Sequence, residues 1–218
     1  IDEAAAALTA AGVGSPRVDA EVLAAHVAGI DRGRLLFAQD PGEDFFRRYD
    51  ELVEARSRRV PLQHLTGTAT LGPATVHVGP GVFIPRPETE FVVEEAVRLA
   101  TMLPAPRIAD IGTGSGCIAV SIASELPHCQ VVATDVSSGA LSIAYDNAVR
   151  HRVAERVTFV TTSYLGGVEG DFDLIVANPP YVRLRDKPAL ARDVRHELEV
   201  ALFGGETGLR DIEGVLDT

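Results

Sequence analysis

Four consecutive residues, Asn178-Pro179-Pro180-Tyr181, carry the most specific chemistry in the chain. Two prolines have no backbone N–H, so the stretch offers carbonyl acceptors and almost no backbone donors. Asn178 adds a side-chain acceptor and donor, and Tyr181 adds a flat aromatic face. Such a site suits a planar NH2 group, which needs acceptors for two hydrogens and a surface to lie on. An NH2 group fixed beside a methyl sulfonium is an amino or amide methylation site. A proline-rich turn after a strand is the plainer reading of the same four residues.

A second stretch, Asp110-Ile111-Gly112-Thr113-Gly114-Ser115-Gly116-Cys117, is a glycine-rich turn from strand to helix. Its spacing is G-x-G-x-G, whereas dinucleotide sites carry G-x-G-x-x-G, and no G-K-[ST] follows as in a phosphate loop. Glycines allow close backbone approach, and a helix N-terminus favours a carboxylate. Asp135 ends the next strand, where a carboxylate can accept both hydroxyls of a ribose. Together they fit S-adenosylmethionine, with its amino-acid tail at Gly112–Gly116 and its ribose at Asp135. NAD is the competing cofactor, disfavoured by the spacing. Asp110 also reads as a carboxylate capping the turn.

These residues need elements to hold them. From Arg107 onward apolar strands alternate with helices: strands Arg107–Ile111, Gln130–Asp135, Val157–Thr161 and Phe172–Ala177, helices Cys117–Glu125 and Ser138–Arg150. Strands without clean alternation, spaced by helices, predict a parallel sheet covered on both faces. Ligands of such sheets sit beyond the carboxyl ends of the strands. Gly112, Asp135, Ser163 and Asn178 all fall there.

Upstream, residues 1–60 read as a small helical domain. Asp2–Ala11 stops at Gly12 and Gly14, and Ser15-Pro16 looks like an N-cap followed by proline at the first helical position. Phe45, Phe46, Tyr49, Leu52, Val53 and Val60 fall at helical spacing. The basic residues Arg47, Arg48, Arg56, Arg58 and Arg59 on this stretch suit either contact with ribosomal RNA or a solvated face interleaved with Asp50, Glu51 and Glu54. Residues 61–80 change character. Leu65–Leu71 and Ala74–Val78 are β-type runs around Gly72-Pro73, which predicts a hairpin linking two domains. Residues 81–218 then form the second domain, opening with Gly81-Val82-Phe83-Ile84-Pro85-Arg86-Pro87-Glu88-Thr89-Glu90 and a helix carrying Phe91 to Leu99.

Composition narrows the function. The chain has 218 residues, 46 % of them hydrophobic, and a formal net charge of -11. That balance argues against a protein built to grip nucleic acid, which needs a basic stripe. No apolar run approaches a membrane span, and the Ala-rich start carries Asp2 and Glu3 and no basic segment, so neither a span nor a signal peptide is expected. Cys117 and Cys129 suit a reduced, cytoplasmic protein. The six histidines form no ligand-spaced set, and no metal is expected. The chain starts at Ile1, which reads as a trimmed or uncovered N-terminus.

Pro61-Leu62-Gln63-His64-Leu65-Thr66-Gly67, Phe83–Glu90, the Gly112 turn, Ala133–Ser138, Asn178–Val182 and Ala201–Leu209 occur in one order. In this the chain resembles the HemK/PrmC family of peptide chain release factor glutamine methyltransferases over nearly its whole length. The Asn-Pro-Pro-Tyr and glycine motifs are shared with other amino methyltransferases, whereas Gln63–Gly67 and Ile84–Glu90 are more particular to the family. The resemblance implies an α/β, Rossmann-like class I methyltransferase domain behind a helical N-terminal domain that holds the protein substrate. It implies methylation of the glutamine in the Gly-Gly-Gln loop of release factors. By similarity, Gly112, Thr113, Gly114, Ser115, Gly116, Asp135, Tyr164 and Asn178 contact S-adenosylmethionine. Asn178, Pro179, Pro180 and Tyr181 hold the glutamine, and Phe83 walls the pocket. Three departures stand out. Ser163 replaces a usual acidic residue, Leu198 replaces a usual proline, and the family continues past Thr218 into strands that complete its sheet, so a missing C-terminal part is expected.

Asn178, Pro179 and Tyr181 are therefore the expected catalytic residues, acting by orientation. Glu88, Glu90 and Glu197 match family acids, with no base assigned among them. Two other readings remain open: an adenine or guanine amino methyltransferase gripping a flipped base with the same motif, and a module that binds S-adenosylmethionine without turnover.

Overall fold

The computed structural model describes residues 1–37, 42–72 and 74–218. The chain divides into two compact units, Ile1–Gly67 with Ala191–His196, and Thr68–Leu190 with Glu197–Thr218.

The first unit is helical. Helices α1 (Asp2–Ala10), α2 (Pro16–Ala28), α3 (Glu43–Ser57) and α4 (Leu62–Thr66) enclose a core of Ala4, Leu8, Ala20, Leu23, Ala24, Tyr49 and Val53. The pairs Ala4/Leu8 and Tyr49/Val53 are four residues apart, so each presents one helical face. Ser15 occupies the N-cap of α2 with Pro16 behind it, but its side chain makes no capping hydrogen bond. Of the five arginines on and after α3, Arg47, Arg56, Arg58 and Arg59 pair with acids. Arg47 and Arg58 pair with acids on their own helix. The Arg56 side chain is 8 % exposed and donates to Asp19 at 2.7 Å and to Asp193 at 2.9 Å, and Arg59 also pairs with Asp193. Arg56 thus ties α3 to α2 inside the unit.

The stretch expected to start the hairpin differs. Leu65 and Thr66, expected to open the first β-run, instead end a helix, Leu62–Thr66, which Gly67 closes at φ 70°. Leu62 and Leu65 pack on the helical core, and that packing overrides the β-type composition. The helical unit therefore runs past residue 60. Strands β1 (Thr68–Leu71) and β2 (Ala74–His77) do pair antiparallel, Leu71 opposite Ala74. Pro73 of the proposed turn lies outside the described residues. Ala69, Leu71, Val76 and Val78 enter the second unit's core, so the hairpin is part of that unit and not a free linker.

The second unit continues with α5 (Thr89–Ala100), β3 (Arg107–Ile111), α6 (Cys117–Glu125), β4 (Gln130–Asp135), α7 (Ser138–Arg150), β5 (Val157–Thr161), β6 (Leu174–Ala177), α8 (Glu199–Leu202) and α9 (Arg210–Leu216). The sheet is parallel in the order β5-β4-β3-β6. Ile111 is level with Thr134 and with Ala177, so three strands end together. The order reverses at β3, which makes the β3/β6 end the switch point where such sheets bind ligands. Residues Cys117 to Ala123 of α6 are all buried, which explains a helix without a polar stripe. Strands β3 and β4 are covered on both faces, but Ile175 on β6 is 42 % exposed, so double coverage does not reach that edge among the described residues.

Candidate active site

A cavity of about 220 Å³ opens beyond the carboxyl ends of the sheet. Its walls include Ile111–Ser115 after β3, Asp135–Ser137 after β4, Thr162–Tyr164 after β5 and Asn178–Pro180 after β6. Phe83, Pro85 and Thr89 add a side from the segment leading into α5, and Arg210, Asp211 and Val215 add another from α9. The expected residues Phe83, Gly112, Thr113, Gly114, Ser115, Asp135, Tyr164, Asn178, Pro179 and Pro180 therefore meet in one cavity. Gly116 stands just behind the turn. Tyr181 does not join them: it is 64 % exposed and lies outside the lining, so its ring is not the cavity's flat surface.

The glycine turn is built by local hydrogen bonds. Thr134 O accepts from the N–H groups of Gly112 and Thr113, each at 2.9 Å. Gly112, Gly114 and Gly116 all have positive φ, which side chains resist. Asn147 of α7 donates to Ser115 O at 2.8 Å and to His77 O at 2.9 Å, and accepts from His77 N at 2.7 Å. It joins the turn to the hairpin. Asp110 is fully buried; its Oδ2 accepts from Thr113 Oγ1 at 2.6 Å and Ala119 N at 3.0 Å, while its Oδ1 has no protein partner. Burial pushes its pKa up to about 6, against the pull of those two donors. The neighbouring Cys117 thiol is pushed up to about 12, chiefly by burial, and stays protonated.

Asp135 has two duties in the turn. Its Oδ2 accepts from Gly114 N and its Oδ1 from Ser137 N, both at 2.9 Å. Each carboxylate oxygen keeps a further lone pair for a ligand hydroxyl. Asn178 Nδ2 donates to Thr89 Oγ1 at 3.4 Å, which leaves its Oδ1 as an acceptor. Thr89 is buried, and only the fold brings it to Asn178. Its sequence signal was its place in the Phe83–Glu90 segment. The Phe83 ring carries the Arg86 guanidinium at 4.9 Å, and Arg86 pairs with buried Glu197, which also accepts from Ile84 N at 3.3 Å. Glu197 is thus a strut for the Phe83 segment. Glu88, Glu90 and Glu197 all lie outside the lining.

Tyr164 has a left-handed backbone, φ 54°, and its hydroxyl donates to Asp211 Oδ1 at 3.1 Å. Burial, and then that bond, push the phenol pKa up. Arg210, Asp211 and Val215 had no sequence signal as cavity residues. Ser163 and Leu198, the two departures, both line the cavity. No group of three or more His, Cys, Asp or Glu among the described residues is placed to hold a metal ion. No helix among them is long and apolar enough to cross a membrane.

The site fits S-adenosylmethionine on this geometry. A side chain at Gly112 or Gly114 would meet nothing within 4 Å, so the turn faces open space. A carboxylate stands at Asp135 and an aromatic wall at Tyr164.

Known proteins give the same picture. Residues 1–67 match the PrmC N-terminal domain, and residues 76–200 match the methyltransferase small domain. A protein of Mycobacterium leprae (strain TN) called release factor glutamine methyltransferase is 48 % identical over 218 residues, covering 96 % of this chain and 74 % of that protein. Its namesake in Mycobacterium tuberculosis (strain ATCC 25618 / H37Rv) is 47 % identical over 223 residues, covering 99 % and 72 %. Among solved structures, the hMettl16 catalytic domain in complex with the MAT2A 3′UTR hairpin 6 superposes with a TM-score of 0.55 at 16 % identity, covering 77 % of this chain and 62 % of that one. That likeness shows the methyltransferase fold alone. Matched by both domain models and by relatives that align with nearly all of its residues, the chain belongs to the release factor glutamine methyltransferase family.

Proposed function

We propose that this protein transfers a methyl group from S-adenosylmethionine to the side-chain amide nitrogen of the glutamine in the Gly-Gly-Gln motif of peptide chain release factors. One observation carries the reading. Asn178 spends its amide nitrogen on Thr89 and keeps its oxygen as an acceptor, and it lines, with Pro179, the cavity that also holds the glycine turn and Asp135. That oxygen and the Pro179 carbonyl would take the two hydrogens of one NH2 group. Gly112–Gly116 and Asp135 would hold the cofactor's amino-acid tail and ribose, Tyr164 its base, and Phe83 and Pro180 the glutamine stem. When bound, S-adenosylmethionine supplies an electrophilic methyl on a positively charged sulfur.

An amide nitrogen is a poor nucleophile, because its lone pair is shared with the carbonyl. Asn178 Oδ1 and Pro179 O accept its hydrogens and so fix the direction of that lone pair. Orientation of this kind is worth on the order of 7–11 kcal/mol in favourable cases. The same two dipoles would stabilise positive charge as it grows on nitrogen, without having to reorganise, and one of the two hydrogens would leave as a proton to water once the N–C bond has formed. Tyr181 is exposed and outside the cavity lining, so any part it has would be a surface contact with the incoming loop. The helical domain, assigned to residues 1–60 by sequence and ending with α4 in the fold, would hold the release factor. Acting on translation factors, the protein would work in the cytoplasm.

Methyl transfer from labelled cofactor to a purified release factor, run beside DNA and ribosomal RNA, tests the proposal. Label should enter the release factor and should vanish when its Gly-Gly-Gln glutamine becomes alanine. Label entering nucleic acid instead, or no turnover with any of the three, would overturn it.

A further inference from the structure

Tyr164 is held from α9 in a way that cavity geometry alone does not require. Its hydroxyl donates to Asp211 Oδ1 at 3.1 Å, and Asp211 Oδ2 takes Arg210 at 2.7 Å. Its ring occupies the space that a side chain on Gly214 would need. A Cβ built on Gly214 would stand 2.1 Å from Cζ and 2.4 Å from the hydroxyl oxygen of Tyr164. Glycine is a poor helix former, so helix propensity gives no reason for Gly214 inside α9; the ring does. Tyr164 also sits at φ 54°, a conformation that bulky residues seldom take and that surrounding contacts must hold. Asp211 lines the same cavity as Tyr164. The turn after β5 and helix α9 therefore make one wall.

We propose that Asp211 and Gly214 are positioning residues that preset the Tyr164 ring as a flat wall for the purine of the cofactor. This rests on the reading of the cavity as the S-adenosylmethionine site. A flat aromatic face takes a flat heteroaromatic ring. A ring already fixed loses no side-chain freedom when the ligand arrives, and that loss is what weakens binding to a mobile one. Asp211 acts through the phenol, and Gly214 acts by having no side chain.

The test is calorimetric binding of S-adenosylhomocysteine together with thermal melting, across six proteins: wild type, Tyr164→Phe, Asp211→Ala, Asp211→Asn, Gly214→Ala and the double variant Tyr164→Phe/Asp211→Ala. Tyr164→Phe and Asp211→Ala should each weaken binding roughly three- to tenfold, the range expected for ordering one side chain. The double variant should bind no worse than either single one, because both remove the same bond. Asp211→Asn keeps an oxygen that accepts from the phenol and should bind close to wild type. Gly214→Ala should weaken binding at least as much as Asp211→Ala while a cooperative melt shows the protein still folded, the helix gain from alanine offsetting part of the cost of displacing the ring. Full weakening by Asp211→Ala in the Tyr164→Phe background, an Asn variant as weak as Ala, or unchanged binding by Gly214→Ala would each overturn the proposal. Wild-type protein that fails to bind S-adenosylhomocysteine would instead remove the cofactor reading beneath it.

Discussion

Asn178, a cavity residue, has a division of labour within one amide: its nitrogen goes to Thr89 and its oxygen remains an acceptor. Its contribution belongs to the transition state, where the target nitrogen must be aimed. Asn178→Ala should lower single-turnover methylation on the order of a hundredfold and leave S-adenosylhomocysteine affinity little changed. Asn178→Asp keeps an acceptor and can take the Thr89 hydroxyl proton, so it should retain more activity than Ala. A near wild-type rate for Asn178→Ala at saturating cofactor would refute the role. Asp110 makes a different kind of prediction. Its pKa is raised from 3.8 to about 6, first by burial, so the folded protein binds the proton more tightly than the unfolded chain. Its stabilising contribution is full below about pH 4 and is lost as pH rises through about 6. Relative to Asp110→Asn, the wild type should lose up to about 3 kcal/mol of stability across that window and nothing further above it. Urea unfolding of both proteins from pH 4 to 8 checks this. A pH-independent difference would show that Asp110 does not titrate there.

The glycine turn shows why elements, not single residues, make the floor of the site. Gly116 packs on α7 so closely that a Cβ there would lie 2.8 Å from Ala144 Cβ and 3.0 Å from its Cα. Gly112 has a similar φ, 70° against 79°, but faces open space. The two positions should therefore fail differently. Gly116→Ala combines a left-handed alanine with overpacking and should destabilise the protein by about 3 kcal/mol. Gly112→Ala should cost about 1–2 kcal/mol for its backbone alone, and its larger effect should be on the cofactor, whose space the methyl enters. Denaturation midpoints and S-adenosylhomocysteine titration separate the two. Equal stability losses would mean that the α6–α7 approach relaxes freely.

At the scale of the whole molecule the two units have separate chemistry. The cavity and every one of its lining residues belong to the second unit. The first unit has its own core and its own buried ion pair, Arg56 with Asp19 and Asp193. Removing residues 1–67 should leave S-adenosylhomocysteine binding largely intact and raise KM for the release factor at least tenfold. An unchanged KM would mean that the helical unit has no part in docking the substrate. Cofactor binding lost together with the helical unit would mean that the second unit does not fold without it. Asp193, which loses both arginine partners in such a truncation, is the residue to neutralise in the shortened protein.

Much of this was legible from local signals. Strand β3 stops before Gly112, β4 ends on Asp135, α6 starts behind Gly116 and α7 behind Ser137, boundaries set by neighbouring residues. The convergence of Gly112, Asp135 and Asn178 follows from strand ends in a parallel sheet. What the local signals could not carry is contact between distant residues. Leu62–Thr66 has β-type neighbours yet is helical, because Leu62 and Leu65 are needed by a core made elsewhere. Thr89 reaches Asn178 across 89 residues, and Asp211 reaches Tyr164 across 47. Tyr181, which directly follows the cavity residues Asn178, Pro179 and Pro180, is exposed instead. Periodicity says which face of an element is apolar; only packing decides which other element that face meets, and so which side chains stand at the site.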